Sequence, residues 1–229
     1  MNIKIKYLLH GHFNSKISNI IDKARKIAYK KFNKYLSELD FTYGKPHITI
    51  IYGPVFYDPK YILEKFNKKI IDEHFYPGFI DKFKNKFPDD LKFTGVSAFI
   101  NLDRIIIKAG FESKKLNEMR NYLINCNQLI KSHYVEFKRN RKEFEKLYEL
   151  ELKKRFPKLY SKDRSYNKNP KGWIHATLLV IKPNINENEI IKIMETLGNH
   201  LSNQGLKIGD IINISEIGLN LKNNFIKFW

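Results

Sequence analysis

The chain contains very little cysteine and no long apolar run. Cys126 is the only cysteine among 229 residues, which excludes an intramolecular disulfide and a cysteine-based metal site. No apolar stretch reaches the ~18 to 20 residues needed to span a bilayer. The N-terminus lacks the apolar core of a signal peptide. We therefore expect an intracellular, cytoplasmic protein without a membrane partner, in which Cys126 packs into the core.

The few glycines do not form the loops that hold nucleoside triphosphates or dinucleotides. Gly44-Lys45 lacks the upstream glycine of a P-loop, and no dinucleotide-binding glycine pattern is present. Ser97 follows a Gly-Val pair but lacks the second glycine of a nucleophile elbow. Triphosphate chemistry and serine hydrolysis are therefore disfavoured.

Acidic residues are scarce relative to basic ones, and the formal net charge is +18. Such an excess favours a polyanionic partner such as nucleic acid, an oligonucleotide or an anionic surface. Of the 42 basic residues 35 are lysine, a bias that A/T-rich coding also produces. Residues 131–172 carry 14 Lys or Arg against 6 Asp or Glu. That segment is a candidate electrostatic footprint, and an ordinary solvated face is the alternative.

Two tripeptides repeat within this basic chain. His47-Ile48-Thr49 and His175-Ala176-Thr177 lie 128 positions apart, each in an apolar, β-like run that a proline closes, Pro54 or Pro183. Alternate side chains of a strand share a face, so the histidine and threonine of each tripeptide project together, about 6 to 7 Å apart.

This pairing of residue types suits phosphate chemistry. An imidazole with an ordinary pKa near ~6.5 can act as general base or general acid, and a threonine hydroxyl can donate to an anionic oxygen. A single His-x-Thr strand is common by chance, but two copies facing each other would supply a base, an acid and two donors. We therefore predict His47, Thr49, His175 and Thr177 as catalytic residues, without a metal or other cofactor.

Periodicity and capping signals give the order of elements. A strand is predicted at 3–9, a helix from Asn14 or Ser15 to about Leu39, the His47 strand, a helix from Asp58, a loop at 76–90, a hairpin at about 92–109, a helix capped by Ser113, a charged helix at 136–156, a loop at 157–172, the His175 strand, a helix at about 188–201 and two final strands. Strand–helix–strand occurs twice around a hairpin, which predicts an α+β fold of two similar lobes.

The motifs and the chain around them resemble the two-histidine (2H) phosphoesterase superfamily. That superfamily includes 2′,5′ RNA ligase-like proteins, 2′,3′-cyclic nucleotide phosphodiesterases and 2′,5′-oligonucleotide phosphodiesterases. Lys92–Phe99 and Arg104–Ala109 are similar to the family's central hairpin, and Ile212–Leu219 resembles its closing strand. The resemblance runs from about residue 3 to the end, except for a basic helical and loop insertion at about 121–172.

The resemblance implies a single bilobal domain with two pseudo-symmetric lobes of antiparallel sheet, helices outside and a central cleft. It implies a metal-independent phosphodiesterase acting on RNA ends, oligonucleotides or small cyclic nucleotides. One histidine would be the base and the other the acid, and both threonines would hold phosphate oxygens. The sequence does not decide which histidine is which. We expect a monomer.

Four residues beside the motifs are candidate substrate-binding residues: Tyr43, Lys45, Lys171 and Trp173. Aromatic rings stack on nucleobases with ~1 to 3 kcal/mol per base, and lysines attract phosphates, although core packing of the two rings is the alternative. His10-Gly11-His12, at the predicted end of the first strand, has the alternate spacing of a metal site. No matching carboxylate or cysteine cluster accompanies it, so a turn residue or a contact to substrate is favoured.

Three other functions stay open at the level of sequence. The chain could be a non-catalytic basic RNA-binding protein, although a binder does not need two paired imidazoles. It could be an RNA 2′,5′ ligase, although hydrolysis is favoured in water. It could also be a phosphodiesterase of cyclic oligonucleotide or 2′,5′-oligoadenylate signals, with the insertion at about 121–172 as a lid.

Overall fold

Two antiparallel sheets with helices make up the described part of the chain. The computed structural model describes residues 5–37, 44–56, 78–83, 86–100, 103–126, 128–159, 174–221 and 224–227. The strands are β1 (Ile5–Phe13), β2 (His47–Phe56), β3 (Leu91–Ile100), β4 (Ile105–Glu112), β5 (His175–Ile181), β6 (Ile211–Ile212), β7 (Ile214–Leu221) and β8 (Asn224–Lys227). The helices are α1 (Ser15–Phe32), α2 (Phe79–Phe83), α3 (Lys114–Cys126), α4 (Gln128–Arg155) and α5 (Glu187–Asn203).

Each tripeptide lies on an edge strand of a different sheet. Sheet A has the strand order β2-β1-β7-β8, and sheet B has the order β5-β4-β3-β6. Every described pairing in both sheets is antiparallel. Strands β2 and β5 contact each other although they belong to different sheets. The predicted α+β class is confirmed.

Helix α1 begins where the sequence predicts and ends earlier. The Asn14 side chain accepts a hydrogen bond from the Ile17 N–H at 3.0 Å, which caps the helix. The helix gives way to a 3₁₀ turn at Asn33–Tyr35. Residues 35–37 then run beside β5, where the Tyr35 carbonyl accepts from the Lys182 N–H and the Ser37 N–H donates to the Val180 carbonyl. The prediction that the α-helix continues to Leu39 is therefore wrong for residues 33–37, which form the 3₁₀ turn and the extended backbone that pairs with β5. Leu39 itself lies outside the described residues.

The hairpin and the helix after it follow the sequence closely. Strands β3 and β4 pair from Lys92 with Glu112 to Ile100 with Ile105. The Ser113 hydroxyl accepts from the Leu116 N–H at 2.9 Å, which confirms the predicted cap of α3. Helix α4 starts at Gln128 instead of residue 136, so the predicted charged helix was eight residues too short at its start.

Four other predictions need correction. Strand β1 runs to Phe13, so His10 and His12 lie inside a strand and neither is a turn residue. Pro54 lies within β2, where an edge position tolerates a residue without an N–H. Three strands, β6, β7 and β8, are described near the C-terminus instead of two, and α2 interrupts the predicted loop at 76–90. The helix predicted from Asp58 and most of the loop at 157–172 lie outside the described residues.

The core lies between the sheets and the helices that cover them. It includes the fully buried side chains of Leu9, Ile21, Phe111, Leu178 and Leu197. Cys126 is half-buried and packs against this core, as predicted, and burial raises the pKa of its thiol to about 11. None of the described helices is long and apolar enough to cross a membrane.

Candidate active site

Strand β2 presents the first motif on the face opposite the core. Ile48 and Ile50 are buried, whereas His47 and Thr49, which alternate with them, are half-buried. Apolar residues in alternate positions anchor one face of the strand, so the histidine and threonine share the other.

Strand β5 repeats this arrangement in sheet B. Ala176 and Leu178 are completely buried, and His175 and Thr177 are half-buried on the other face. A register irregularity between Ile107 and Lys108 of β4 changes the pairing with β5 just after the motif. The second motif therefore projects as a pair, as the first does.

A buried arginine lies between the two motifs. Arg25 of α1 is 6% exposed, and its Nε donates to the Thr177 carbonyl at 3.0 Å. Its Nη1 donates to the carbonyl of Gly44, just before β2, also at 3.0 Å. One guanidinium thus holds backbone from both motif segments.

The hydrogen bond of His47 fixes which ring nitrogen is available for chemistry. Its Nδ1 lies 3.0 Å from the Lys45 carbonyl oxygen, and a carbonyl only accepts. In the neutral ring the proton is therefore on Nδ1, and Nε2 carries the lone pair. This nitrogen can accept a proton from a nucleophile.

Two more imidazoles share this face of sheet A. His12 is the strand neighbour of His47, and His10 is the neighbour of Thr49. The ring of His10 stacks on that of His47, with centroids 3.8 Å apart and planes 12° from parallel. His10 is 1% exposed and lies beneath the motif.

The surroundings of these rings keep them uncharged near neutral pH. Burial lowers the pKa of His47 to about 4; the bond to Lys45 opposes this, and the positive charge of Arg25 adds to it. Burial, with like-charge repulsion from His47 and His12, lowers the pKa of His10 to about 2. Burial also lowers the pKa of His12, although Glu216 acts in the opposite direction.

Glu216 lies within reach of one imidazole and two lysines on this face. Its carboxylate lies 3.4 Å from His12 Nδ1, 3.1 Å from Lys45 Nζ and 3.3 Å from Lys227 Nζ. These bonds, that of Lys45 first, lower the pKa of Glu216 to about 2. Phe225 stacks on His12 with ring centroids 4.0 Å apart. The predicted residue Lys45 thus lies next to the first motif, with its side chain directed along the sheet.

The second motif has different neighbours. Thr177 is in register with Lys108, which is in register with Ser97, and both of these side chains are buried. Lys108 is 3% exposed, so sheet B brings a lysine side chain into the row of Thr177. His175 is in register with Gly110, where a Cβ would lie 2.8 Å from Thr94 Oγ1. A larger residue at position 110 would therefore require the Thr94 side chain to shift.

Three predicted substrate-binding residues, Tyr43, Lys171 and Trp173, lie outside the described residues. Within the described ranges, no group of three or more His, Cys, Asp or Glu side chains could hold a metal ion. A groove of about 510 Å³ lies between β3 and α5, at the other edge of sheet B from β5, and none of its lining residues belongs to a motif. Because it lacks paired imidazoles, we place the candidate chemistry at β2 and β5.

Sequence reasoning missed Arg25, Lys108 and Glu216. Arg25 had a signal, because it falls on the apolar stripe of α1 four residues after Ile21. Lys108 also had one, as the only charged residue of the run Ile105–Ala109. Glu216 had none, since one acidic residue in an alternating strand is ordinary.

No model of a known protein family matches this chain, and no curated protein matches it significantly. The family resemblance therefore rests on the two motifs, the hairpin and the closing strand, and it stays a hypothesis.

We expect stability to fall as the pH drops below about 6.5, the ordinary value for histidine. In the folded state the pKa values of His10, His12 and His47 are below that value, so the unfolded chain binds more protons in this range. Each group then contributes a loss of up to about 1.4 kcal/mol per pH unit, down to its folded pKa. Urea unfolding between about pH 7 and pH 5 measures this slope.

The variant His10→Phe keeps a ring on His47 but cannot take up a proton. Its stability should therefore depend less steeply on pH than that of the wild type. Equal slopes for the two proteins, or stability that does not change over this range, would contradict buried neutral imidazoles.

Proposed function

We propose that this chain is a metal-independent phosphodiesterase that hydrolyses 2′-linked phosphodiesters of RNA or oligonucleotides by two-histidine acid and base catalysis. One observation carries the proposal. Two His-x-Thr pairs, each sharing the face opposite the core, lie on the edge strands β2 and β5, which contact each other across two sheets. This placement supports the resemblance to the 2H phosphoesterases.

We propose further that the two sheets form two lobes and that the motif strands line a cleft between them. Three observations support this. β2 and β5 are each at the edge of a sheet, they contact each other, and Arg25 donates to the carbonyl of Thr177 in the second motif and of Gly44 just before the first. A phosphodiester in such a cleft would meet one motif from each side.

His47 is the proposed general base. Its Nδ1 proton is held by the Lys45 carbonyl, and its lowered pKa keeps Nε2 unprotonated at neutral pH. A base must hold its lone pair before the reaction starts, which this environment favours. His175 is then the general acid.

For a 2′,3′-cyclic phosphate, His47 takes a proton from water as the water oxygen bonds to phosphorus. The bond between phosphorus and one ribose oxygen breaks, and His175 gives that oxygen its proton, so a phosphomonoester results. For a 2′,5′ linkage the neighbouring 3′-hydroxyl can replace water as nucleophile. Thr49 and Thr177 donate to the non-bridging oxygens, and positioned donors of this kind stabilise the developing charge.

Replacing either catalytic histidine should abolish turnover without unfolding the protein. General acid or base catalysis contributes about 10² to 10⁴-fold, so kcat/KM of His47→Ala and of His175→Ala should fall at least that far on a cyclic phosphate or 2′,5′ substrate. His200→Ala, on α5 and outside both motifs, is the matched control and should remain active.

Near-normal turnover by both motif variants would overturn the assignment. Circular dichroism must show that each variant is folded before its rate is interpreted. If salt-sensitive RNA binding persists in the double variant and the wild type yields no product from any 2′-linked substrate, the chain is a binding module instead.

Chelators should leave the rate unchanged, because proton transfer and charge stabilisation come from the chain's own side chains. Turnover is measured before and after treatment with EDTA, and again after divalent ions are restored. Loss of activity with EDTA and its recovery with one ion would replace this mechanism by a metal-assisted one.

A further inference from the structure

Arg25 occupies an unusual place for a charged residue. It lies on the apolar face of α1, between Ile21 and Ala28, and only 6% of it is exposed. Its Nη1 lies 3.5 Å from Asp22, a carboxylate that is itself 41% exposed at the side chain. Burying a guanidinium is expensive unless its donors are used. The contacts it makes therefore indicate what it does.

Two of those contacts reach the two motif segments. The Thr177 carbonyl belongs to the second His-x-Thr strand, and the Gly44 carbonyl belongs to the turn that leads into the first. Gly44 has a φ of 95°, a left-handed conformation that sets the direction in which the chain enters β2. Both donor distances are 3.0 Å, so neither contact is marginal.

The motif strands need such a link because no strand pairing joins them. β2 pairs with β1, whereas β5 pairs with β4 and, at its outer edge, with residues 35–37, so no described strand pairing runs from β2 to β5. Packing is less directional than hydrogen bonding, so it defines the offset between the two strands less sharply. In acid and base catalysis a displacement of about 1 Å can reduce the rate about 10²-fold.

We propose that Arg25 is a positioning residue that sets the two His-x-Thr motifs relative to each other. It acts through the backbone carbonyls of Gly44 and Thr177 and does not touch the substrate. The inference rests on the proposed function for its kinetic consequences, but the coupling of Arg25 to His47 can be measured without turnover.

Arginine and lysine should differ in this role. The guanidinium offers donors in a rigid planar fork, so Nε and Nη1 serve two carbonyls at fixed angles, whereas an ammonium is a single point charge. Lysine at this position would keep the charge and lose the fork. Methionine would keep the apolar stem and lose both charge and donors.

The charge of Arg25 also acts on His47. Burial is the main reason that the pKa of His47 is about 4, and Arg25 and His12 lower it further. Among the described residues, the ionisable groups that face His47 are Arg25 from α1 and His10 and His12 from β1, with Glu216 behind His12. The planar donors of Arg25 therefore affect the alignment of the two motifs, whereas its charge affects the proton affinity of His47.

The test compares Arg25→Lys and Arg25→Met with the wild type. Arg25→Lys should lower kcat about 10- to 100-fold with a smaller change in KM, and the acidic limb of its pH–rate profile should stay in place. Arg25→Met should show a similar loss, and its acidic limb should move toward higher pH. The pKa of the His47 ring, measured by NMR titration, should likewise stay unchanged in Arg25→Lys and rise in Arg25→Met.

Lys26→Met is the matched control, because Lys26 is the exposed neighbour of Arg25 on α1. It removes the same formal charge and should leave kcat, the acidic limb and the His47 titration unchanged. If Arg25→Met does not fold, Arg25→Lys alone still tests whether Arg25 positions the motifs, because positioning predicts a loss in kcat that exceeds the change in KM.

Wild-type kcat in Arg25→Lys, or an unchanged His47 titration in folded Arg25→Met, would overturn the inference. If the wild type turns over no 2′-linked substrate, the proposed function fails instead. The titrations of the variants would still show whether Arg25 is coupled to the first motif.

Discussion

The candidate site depends on how two sheets, between which the described residues form no strand pairing, are held together. Each contributes one edge strand, β2 or β5, and each edge strand carries one His-x-Thr motif. The buried guanidinium of Arg25 donates to backbone on both sides of this junction, at Thr177 and at Gly44. Apolar packing brings the sheets together, but directional hydrogen bonds are what can hold two strands at a set offset.

The two motifs have the same chemistry in different surroundings. His47 lies over the buried ring of His10 and beside the buried His12, and these surroundings favour its neutral imidazole. His175 has a glycine as its strand neighbour, and Thr177 has the buried Lys108. Environments that differ in this way are how proteins give two similar groups opposite roles in proton transfer. In the proposed mechanism, the two motifs supply the residues, and their different neighbours assign the base to His47 and the acid to His175.

Local patterns in the sequence were enough to find the elements that carry the motifs. Alternation placed His47 and Thr49 on one face, and Asn14 and Ser113 marked helix starts that the structure confirms. The predicted end of α1 was wrong because residues 35–37 pair with β5, which is distant in sequence. Local propensity does not contain such a partner, so it extends the helix instead.

The neighbours of the motifs depend on strand order, which periodicity does not give. His12, Glu216 and His47 become one row only because β1 lies between β2 and β7. Nothing about Glu216 in its own strand indicates that two lysines and a histidine will surround it. The charged residue on the apolar stripe of α1, Arg25, was visible in the sequence, but its two acceptors were not.

The identity of the reaction product is the most direct test of the central claim. The wild-type protein would be incubated with 2′,3′-cyclic mononucleotides, RNA with cyclic-phosphate ends, 2′,5′-oligoadenylate, cyclic dinucleotides and 3′,5′-linked controls, and the products separated and identified. The account predicts cleavage of at least one 2′-linked substrate, with the 3′,5′-linked controls intact. No cleavage of any 2′-linked substrate by folded protein, or equal cleavage of the 3′,5′-linked controls, would contradict it.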